Sequence, residues 1–382
     1  MPVGGSMEPG PLSPVSDAEE DQPEEGIALC LSGGGYRAMV FHLGSLIRLN
    51  ELGYLSRLDR VSSVSGGSIT AAMLGLRWQH LDFIDRIARR LIPEVVEPIR
   101  SFAEVSVDAK AILSGIFLPG TIAEKVEHAY DKHLFHGATL QDLPDDPPRF
   151  VINATNVQTG ALWRFSKPYM RDYQVGEVRN PKVSLAKAVA ASSAFPPVLS
   201  PARLSLDLDQ YSPAAGESHH SPEFMKDVFL SDGGVYDNLG LETAWKRYRT
   251  ILVSDAGQAM APEADPGKDW ASHARRVLDL VDNQVRALRK RQVVGSFEAG
   301  ARLGAYWSVR SDIGRYATPG ALDCPLDRTS VLAQVPTRLS RLPVETQDRL
   351  INWGYAITDA AVRKWMDPGL PPPDDFPCPG GV

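Results

Sequence analysis

The chain has 382 residues, of which 43% are hydrophobic and 23% charged, as expected for a globular protein of one or two domains. A net charge of −7 gives no electrostatic case for nucleic-acid binding, and no apolar run approaches the roughly 18 residues of a membrane-spanning helix. Three widely spaced cysteines make neither a disulfide framework nor a zinc site, and the amino terminus lacks a secretory pattern.

The first elements predict a parallel α/β unit. Residues 1–25 are rich in Pro, Gly, Ser and acidic residues, which predicts a disordered acidic leader. The apolar run 26–32 then predicts a buried strand, and residues 36–52 predict a helix with broad apolar faces. A second strand follows and runs into residues 65–67, so the pattern is strand, glycine loop, helix, strand and helix.

The turn at Ser65 has the form of a nucleophile elbow. Ser65 follows a β-branched run and precedes Gly66 and Gly67, after which an apolar helix begins. Small neighbours are required because strand and helix pass close together at such a bend. The usual G-x-S-x-G pattern has Ser63 in place of its first glycine, and a plain Ser-Gly turn remains the alternative.

The middle of the chain predicts a helical insertion over about 80–135, in which Phe83 and Ile87 recur at helical spacing. Its apolar part 111–119 is either a lid that contacts membrane or a helix packed on the core. Residues 149–165 predict a hairpin, and residues 184–194 predict a helix of small residues.

The second half predicts a strand that ends at Asp232, before a glycine turn. Helices are expected over 269–298 and 345–366, followed by a flexible tail 367–382. The basic cluster near residue 290 could contact anionic lipid head groups or form a solvated face. The pair His219-His220 has no acidic or cysteine partner at ligand spacing, so we expect no metal there.

The triple glycine Gly33-Gly34-Gly35 allows two interpretations. With Ala38 it satisfies G-x-G-x-x-A, a dinucleotide-binding loop, but the acidic residue nearest the expected position, Asp59, stands at the beginning of the second strand instead of its end. Alternatively, backbone N–H groups of consecutive glycines can approach an oxyanion closely, because no Cβ stands in the way. The second interpretation suits a serine elbow better.

A serine nucleophile needs a base. His273, the only histidine after Asp232, sits inside a helical pattern, which argues against a Ser-His-Asp triad and for a carboxylate that acts directly. Asp232 is the candidate, since the ends of parallel strands meet at one edge of a sheet. An aspartate of ordinary pKa, about 3.9, is a weak base, so partial desolvation is expected. A turn aspartate without function is the alternative.

Four blocks together resemble the patatin-like phospholipase family: Ser32-Gly33-Gly34-Gly35-Tyr36-Arg37-Ala38, Ser63-Val64-Ser65-Gly66-Gly67, Ala191-Ser192-Ser193-Ala194-Phe195-Pro196-Pro197 and Asp232-Gly233-Gly234. The resemblance covers roughly residues 26–255. It implies that Ser65 is the nucleophile and Asp232 the base, that Gly33, Gly34 and Gly35 line the oxyanion hole, and that Arg37 supports this loop. Ser32, Ser63 and Ala38 depart from the plant members but are small, and they place the chain nearer the bacterial-type members.

The resemblance implies a three-layer α/β/α sandwich with a mostly parallel central sheet. Its catalytic domain would span 26–366, with the helical insertion and a C-terminal helical extension over about 266–366. The expected activity is hydrolysis of phospholipid or lysophospholipid acyl esters, without metal or cofactor, by a cytoplasmic protein that makes peripheral contact with membrane. A carboxylesterase or neutral lipase with the same dyad, and a catalytically silent lipid-binding module, remain alternatives.

Overall fold

The computed structural model describes residues 23–107, 121–196, 199–214 and 216–382. The segment 111–119, for which the sequence left two interpretations open, lies outside these residues. Most of the predicted leader lies outside them as well, and so does Pro197 of the third motif block. The first strand begins at Glu24, two residues earlier than the apolar run predicts.

The secondary structure of the described residues follows the chain in a βαβ order. The strands are β1 (Glu24–Leu31), β2 (Arg60–Val64), β3 (Phe83–Ile84), β4 (Ile87–Ala88), β5 (Arg149–Asn156), β6 (Leu162–Phe165), β7 (Tyr169–Asp172), β8 (Gly176–Arg179), β9 (Ala202–Ser205), β10 (Asp227–Asp232), β11 (Tyr248–Asp255) and β12 (Leu303–Ser308). The α-helices are α1 (Gly35–Glu51), α2 (Gly66–Arg77), α3 (Glu97–Ala103), α4 (Ile122–Tyr130), α5 (Leu185–Ser192), α6 (Pro222–Met225), α7 (Gly234–Asp237), α8 (Glu242–Trp245), α9 (Trp270–Glu298), α10 (Leu326–Ala333) and α11 (Val344–Trp365).

The described strands form one ten-stranded sheet, apart from a small ribbon made by β3 and β4. The path through the sheet is β12-β11-β1-β2-β5-β6-β7-β8, and β10 pairs with both β5 and β9. Neighbours from β12 to β5 pair in parallel. The hairpin β5–β6 is confirmed, and β6, β7, β8, β9 and β10 extend the sheet by antiparallel pairing. The predicted mostly parallel centre is therefore confirmed.

Strand β1 is buried on both faces, which makes the protein three-layered. Leu29 and Leu31 belong to the large core cluster that includes α1, α2 and α11. Ala28 and Cys30 point the other way, into a second cluster with residues of α8 and α9. An apolar run without alternation is what a parallel strand covered on both faces requires. The predicted α/β/α sandwich is confirmed.

The C-terminal helix α11 is part of the core, since it packs along α1. A Cβ on Gly44 would collide with the carbonyl of Ile351, and a Cβ on Gly354 would collide with that of Phe41. The two backbones therefore approach closely only because glycine stands on each helix. This contact holds the glycine-loop helix against the end of the chain.

Two sequence expectations are wrong in the described residues. The start of the predicted helical insertion is the ribbon β3–β4, because Asp82, Asp85 and Arg86 adopt positive φ and turn the chain. In the ribbon Phe83 lies opposite Ala88 and Ile87 lies opposite Ile84, so the spacing of Phe83 and Ile87 does not mark a helix face.

The tail 367–382, expected to be flexible, is tied to α11 by hydrogen bonds instead. The side chain of Asn352 on α11 bonds both the N–H and the carbonyl of Cys378, and it also donates to the carbonyl of Gly381. Val382 is buried. The composition of the tail is typical of disorder, but hydrogen bonds to the buried side chain of Asn352 hold its end in place.

Candidate active site

Ser65 occupies a strained turn between β2 and α2. Its φ of 51° and ψ of −121° lie outside the usual regions for a residue with a side chain. A Cβ on Gly66 would collide with the carbonyl of Gly35, and one on Gly67 with that of Leu31. The elbow therefore requires both glycines, as the sequence pattern indicates.

Ser63 fits in place of the first glycine of the elbow. Its hydroxyl accepts a hydrogen bond from Ser68 at 3.1 Å and donates to the carbonyl of Val151 at 3.3 Å. The side chain is thus directed into the hydrogen-bonded base of the turn and leaves the hydroxyl of Ser65 free to project from it.

Asp232 lies beside Ser65 because β2 and β10 both pair with β5. This arrangement was not predicted from the sequence. Val64 at the end of β2 lies opposite Asn153, and Asp232 at the end of β10 lies opposite Ala154. Because β6 occupies the other edge of β5 over these residues, β2 and β10 share one edge and meet end to end. We expected the ends of parallel strands to meet; β10 is antiparallel to β5, and it approaches from the opposite direction.

The carboxyl group of Asp232 is buried beside the elbow. Its Oδ1 accepts the N–H of Gly234 at 2.7 Å, and Ser65 lines the same cavity. Burial raises the pKa of Asp232 to about 7, against the lowering effects of the Gly234 N–H and the nearby Ser65 side chain, and the charge of Asp282 raises it further. Such a carboxyl group can exchange a proton near neutral pH.

The three glycines of the loop are not equivalent. The N–H of Gly33 donates to the carbonyl of Asn238 at 3.0 Å, so the expectation that Gly33 lines the oxyanion hole is wrong. Gly34 and Gly35 line the cavity beside Ser65, with φ of 142° and 57°. Only glycine adopts such φ values readily. Because the N–H of Gly33 is already bonded, the N–H groups of Gly34 and Gly35 remain the candidate donors.

Arg37 is fully buried and anchors the glycine loop. Its guanidinium donates to the carbonyl of Ala256 and to those of Ala333 and Val335, over distances of 2.7–3.2 Å. Burial lowers the pKa of Arg37 to about 10, so it stays charged at neutral pH. With its donors committed to these backbone carbonyls, Arg37 is placed to support the loop.

Ser192 braces the elbow, and reasoning from the residues alone missed it. Its hydroxyl accepts the N–H of Ser65 at 2.9 Å and donates to the carbonyl of Asn153 at 2.7 Å. Ser68 adds a third bond to the same oxygen. The signal that could have found it is the block 191–197, which resembles the family segment between nucleophile and aspartate.

The histidines do not line the cavity that holds Ser65 and Asp232. His273 is exposed on α9, and no histidine is among the described residues that line the cavity around Ser65. His42 is buried under the glycine loop, where Nε2 donates to the carbonyl of Ser32 at 3.0 Å and Nδ1 faces the hydroxyl of Ser254 at 2.8 Å. Burial lowers the pKa of His42 to about 4, so it is a neutral support.

The dinucleotide and metal interpretations find no support in this geometry. The carboxyl of Asp59 accepts the N–H of Ile27 at 2.8 Å, which ties it to the amino-terminal end of the sheet. His220 bonds the carbonyl of Val175, and His219 bonds Ser218. Among the residues that the structure describes, no group of three or more His, Cys, Asp or Glu side chains could hold a metal ion.

A cavity of about 770 Å³ opens above Ser65 and Asp232. Its apolar lining comes from Phe195, Leu199, Met260 and Leu339, among others. Charged side chains line it as well, and they lie on α9 and on the segment before Leu339: Arg275, Arg276, Asp279, Asp282 and Arg338. The site thus combines the hydroxyl of Ser65, the carboxyl of Asp232 with its raised pKa, and a cavity that is lined by both apolar and charged residues.

Comparison with known proteins assigns the family. The family model of the patatin-like phospholipases matches residues 29–245, which is more than half of the chain. The chain belongs to the patatin-like phospholipase family, a class of lipid acyl hydrolases. A comparison with curated protein sequences found no match.

Solved structures resemble the chain in fold. Human GIVD cytosolic phospholipase A2 superposes with a TM-score of 0.51 at 14% identity, covering 89% of this chain and 59% of that one. Its complex with methyl gamma-linolenyl fluorophosphonate and terbium chloride gives 0.53 at 14% identity, covering 90% and 59%. At this identity the likeness shows the fold alone. The chain spans about three fifths of the length of the human enzyme.

Proposed function

We propose that this protein is a serine acyl hydrolase that cleaves acyl esters of phospholipids or lysophospholipids with a Ser65–Asp232 dyad. The observation that carries the proposal is that an elbow serine and a buried aspartate of raised pKa meet at one edge of β5 and line the same cavity. Membership of the patatin-like phospholipase family supports the same class of reaction.

The acylation step follows from the position of the two groups. The Oγ of Ser65 attacks the ester carbonyl carbon while its proton passes to the carboxylate of Asp232. The bond from the carbonyl carbon to the alcohol oxygen then breaks, and Asp232 returns the proton to the departing alcohol. Water repeats the sequence on the acyl-enzyme: its proton goes to Asp232, its oxygen joins the acyl carbon, and Ser65 recovers a proton as the fatty acid leaves.

Two features of the site favour this chemistry. Gly34 and Gly35 line the cavity, and their N–H groups would stabilise the negative charge that develops on the carbonyl oxygen; such a donor contributes about 3 kcal/mol in known hydrolases. The pKa of Asp232, about 7, suits a group that must accept and release a proton in each half-reaction.

The cavity lining supports a phospholipid over a neutral ester. The apolar wall that includes Phe195 and Leu199 suits an acyl chain, and Arg275 and Arg338 are among the residues that line the same cavity. Guanidinium groups bind phosphate through paired hydrogen bonds. Arg37, with its donors held by backbone carbonyls, is not placed for this task.

The test compares hydrolysis of a lipid panel by the wild type and by Ser65→Ala and Asp232→Asn. We expect fatty-acid release to fall at least about 10³-fold in both variants, because each removes a reacting group. Labelling with an alkyl fluorophosphonate, the kind of compound found with the human enzyme, is expected on Ser65 of the wild type alone.

Matched controls separate loss of chemistry from loss of fold. Asp227→Asn changes an aspartate at the other end of β10, and Ser205→Ala changes an exposed serine; both are expected to keep activity within about twofold. Persistent hydrolysis in both dyad variants contradicts the proposal. Absence of labelling and of hydrolysis in the folded wild type favours a silent lipid-binding module.

A further inference from the structure

A second cavity, of about 330 Å³, lies at the other end of the sheet from the dyad. Its lining includes Glu24 and Arg60, the first residues of β1 and β2, whereas Ser65 follows the last residue of β2. The extended strand from Arg60 to Ser65 measures about 16 Å. The other residues that line this basic cavity are Arg164, Tyr169, Thr243, Lys246 and Arg247. Since the two linings have no described residue in common, the cavities are separate.

Arg60 contributes a buried cation to the basic cavity. The residue is 5% exposed, and its Nη1 donates to the carbonyl of Thr243 at 2.6 Å. Its guanidinium lies over the ring of Tyr248, 5.3 Å from the ring centroid. Its Nε is buried and has no hydrogen-bond partner among the residues that the structure describes. Because buried guanidinium donors are normally paired, this free donor beside a cavity is available to a ligand.

The charge of Arg60 is not balanced by a neighbouring carboxylate. Burial lowers the pKa of Arg60, and the charges of Arg247 and Arg149 lower it further. The groups that raise this pKa are the hydroxyls of Tyr248 and Tyr169, and a phenol carries no charge at neutral pH that could balance a guanidinium. The electrostatic surroundings of Arg60 are therefore those of a cation that lacks an anion.

Arg60 and Arg164 point to the same face of the sheet. Arg164 lies opposite Asn153 in the antiparallel pair β5–β6, and directly opposite residues share a face. The Nδ2 of Asn153 donates to the Oγ of Ser62, which is hydrogen-bonded to the Oγ1 of Thr243 on α8. Ser62 and Arg60 are two residues apart on β2, so they share a face as well. Both arginine side chains therefore lie on the α8 side of the sheet.

Ion pairs account for only part of the positive charge around the basic cavity. Arg247 pairs with Glu24 at 2.9 Å, and Lys246 pairs with Glu242 at 3.1 Å. Arg164, in contrast, has a buried Nε that lacks a hydrogen-bond partner within the described ranges. Neither Arg164 nor the buried guanidinium of β2 forms an ion pair with a described carboxylate. Two guanidinium charges are thus left without a counter-ion from the described residues.

We propose that the basic cavity binds a phosphate group, as a phosphate monoester or as inorganic phosphate, which Arg60 and Arg164 share. Such a group carries roughly 1.5–2 negative charges at neutral pH, close to the two guanidinium charges that lack a counter-ion. Guanidinium groups bind phosphate oxygens through paired hydrogen bonds. Lys246 and Arg247 are exposed beside the cavity and attract an approaching anion. The proposal does not depend on the proposed function, since no residue of the dyad takes part.

The test is isothermal titration calorimetry of the full chain with glycerol 3-phosphate and with inorganic phosphate, near neutral pH and at constant ionic strength. We expect one saturable site, with an affinity at least about tenfold higher than for acetate, because a monoanion balances only one guanidinium. Arg60→Met removes the buried charge and keeps a long side chain, and Arg164→Gln removes the other charge at a less buried position. Each variant should weaken phosphate binding at least about tenfold.

Two controls locate the binding. Arg249→Gln changes an exposed arginine that is ion-paired with Glu25 at the same end of the sheet and is not part of the lining, so it should bind phosphate within about twofold of the wild type. Arg275→Gln/Arg338→Gln changes two arginines of the cavity above the dyad and should also keep the calorimetric site. Absence of saturable binding in the wild type overturns the proposal, and so does binding that only the Arg275/Arg338 variant loses.

A purely structural role for Arg60 predicts a different result. A ligand that binds only the folded state stabilises it, so phosphate should raise the urea midpoint of the wild type and of Arg249→Gln. The midpoint of Arg60→Met should not respond to phosphate, whatever its value without the ligand. An equal rise in Arg60→Met and in the wild type assigns Arg60 to the fold alone and contradicts the site.

The phosphate group can belong to a soluble molecule or to a lipid head group, and a vesicle experiment separates the two. No helix in the described part of the chain is both long and apolar enough to cross a membrane. Co-sedimentation is measured with phosphatidylcholine vesicles that contain phosphatidic acid. Loss of vesicle binding in Arg60→Met and Arg164→Gln, but not in Arg249→Gln, assigns the phosphate to a lipid. Loss in calorimetry alone assigns it to a soluble ester, and loss in neither experiment overturns the proposal.

Discussion

Ser65 and Asp232 stand at the ends of two strands that meet end to end along one edge of β5. The residue before Ser65 lies opposite Asn153, and Asp232 lies opposite Ala154. Neighbouring positions on one strand thus bring together side chains that are far apart in the chain. The backbone of Asp232 is held there by its N–H to the carbonyl of Ala194 and by the hydroxyl of Thr155.

The rate should follow the ionisation of Asp232. A carboxylate that accepts a proton must be deprotonated first, so kcat/KM on a soluble ester is expected to rise with pH to a plateau, with a midpoint near the pKa of about 7. Asp282→Asn removes a charge that raises this pKa, so its midpoint should lie lower. A rate that is flat from about pH 5 to pH 8 contradicts this assignment. Asp227→Asn should leave the midpoint unchanged.

The same carboxyl should lower folding stability at high pH. Its pKa of about 7 in the folded protein exceeds the roughly 3.9 of an unfolded aspartate, so the folded state binds the proton more tightly. Stability is then greatest below about pH 4 for this group and is lost as the pH rises through about 7, with a total near 4 kcal/mol. Asp232→Asn is expected to unfold at higher urea than the wild type at pH 8, with a gain that shrinks toward pH 5. A gain independent of pH contradicts the linkage.

Loss of the Ser192 hydroxyl should damage the elbow. Ser192→Ala leaves the buried N–H of Ser65 without its acceptor, which costs about 1–3 kcal/mol of unfolding free energy. We expect kcat on a soluble ester to fall about tenfold or more, because the hydroxyl of Ser65 loses its fixed position. Ser205→Ala, at an exposed serine, should change neither quantity measurably. Unchanged kcat in Ser192→Ala shows that the brace is dispensable.

A methyl group at Gly66 should disrupt the contact between elbow and glycine loop. Gly66→Ala drives a Cβ into the carbonyl of Gly35 and displaces a candidate oxyanion donor, so kcat is expected to fall about 10²-fold or more. Gly295→Ala is the control, since its Cβ would meet nothing within 4 Å on α9, and it should add roughly 0.5–1 kcal/mol of stability. Comparable kcat for the two variants contradicts the role of this contact.

Arg37 should matter through the loop and not through substrate binding. Arg37→Lys cannot reproduce the fork that holds the carbonyls of Ala256, Ala333 and Val335, and about 2–4 kcal/mol of stability should be lost. The expected kinetic signature is a lower kcat with little change in KM for a phospholipid. Arg315→Lys, at an exposed arginine, serves as control. A large rise in KM with unchanged stability assigns Arg37 to the substrate instead.

Local features of the sequence were sufficient for several parts of the site. The elbow at Ser65, the helix after the glycine loop and the hairpin β5–β6 each follow from requirements that act over a few residues: small side chains at a tight bend, apolar periodicity and turn residues. Even the substitution of Ser63 for glycine was expected to preserve the geometry, and the hydrogen bond from Ser68 provides the reason.

Other features depended on contacts between distant parts of the chain. Three adjacent glycines look alike in sequence, but the N–H of Gly33 is taken by Asn238, which only the fold brings beside it. The orientation of α9 was equally hidden: Val277, Val281 and Leu288 have the spacing of a core-facing stripe, but these side chains are 47%, 50% and 57% exposed. The hydrogen-bonded tail depends on Asn352 in the same way.

The sequence by itself determined the kind of protein: an α/β sandwich with a serine elbow, a glycine loop and a single candidate carboxylate. The sterics of a tight turn and the periodicity of apolar residues depend only on neighbouring residues. The elbow, the glycine loop and the helices could therefore be predicted from the sequence. Only the tertiary structure decided which strand direction carries Asp232 and which glycine amides stay free. Those outcomes depend on long-range backbone pairing, which no local run of residues encodes.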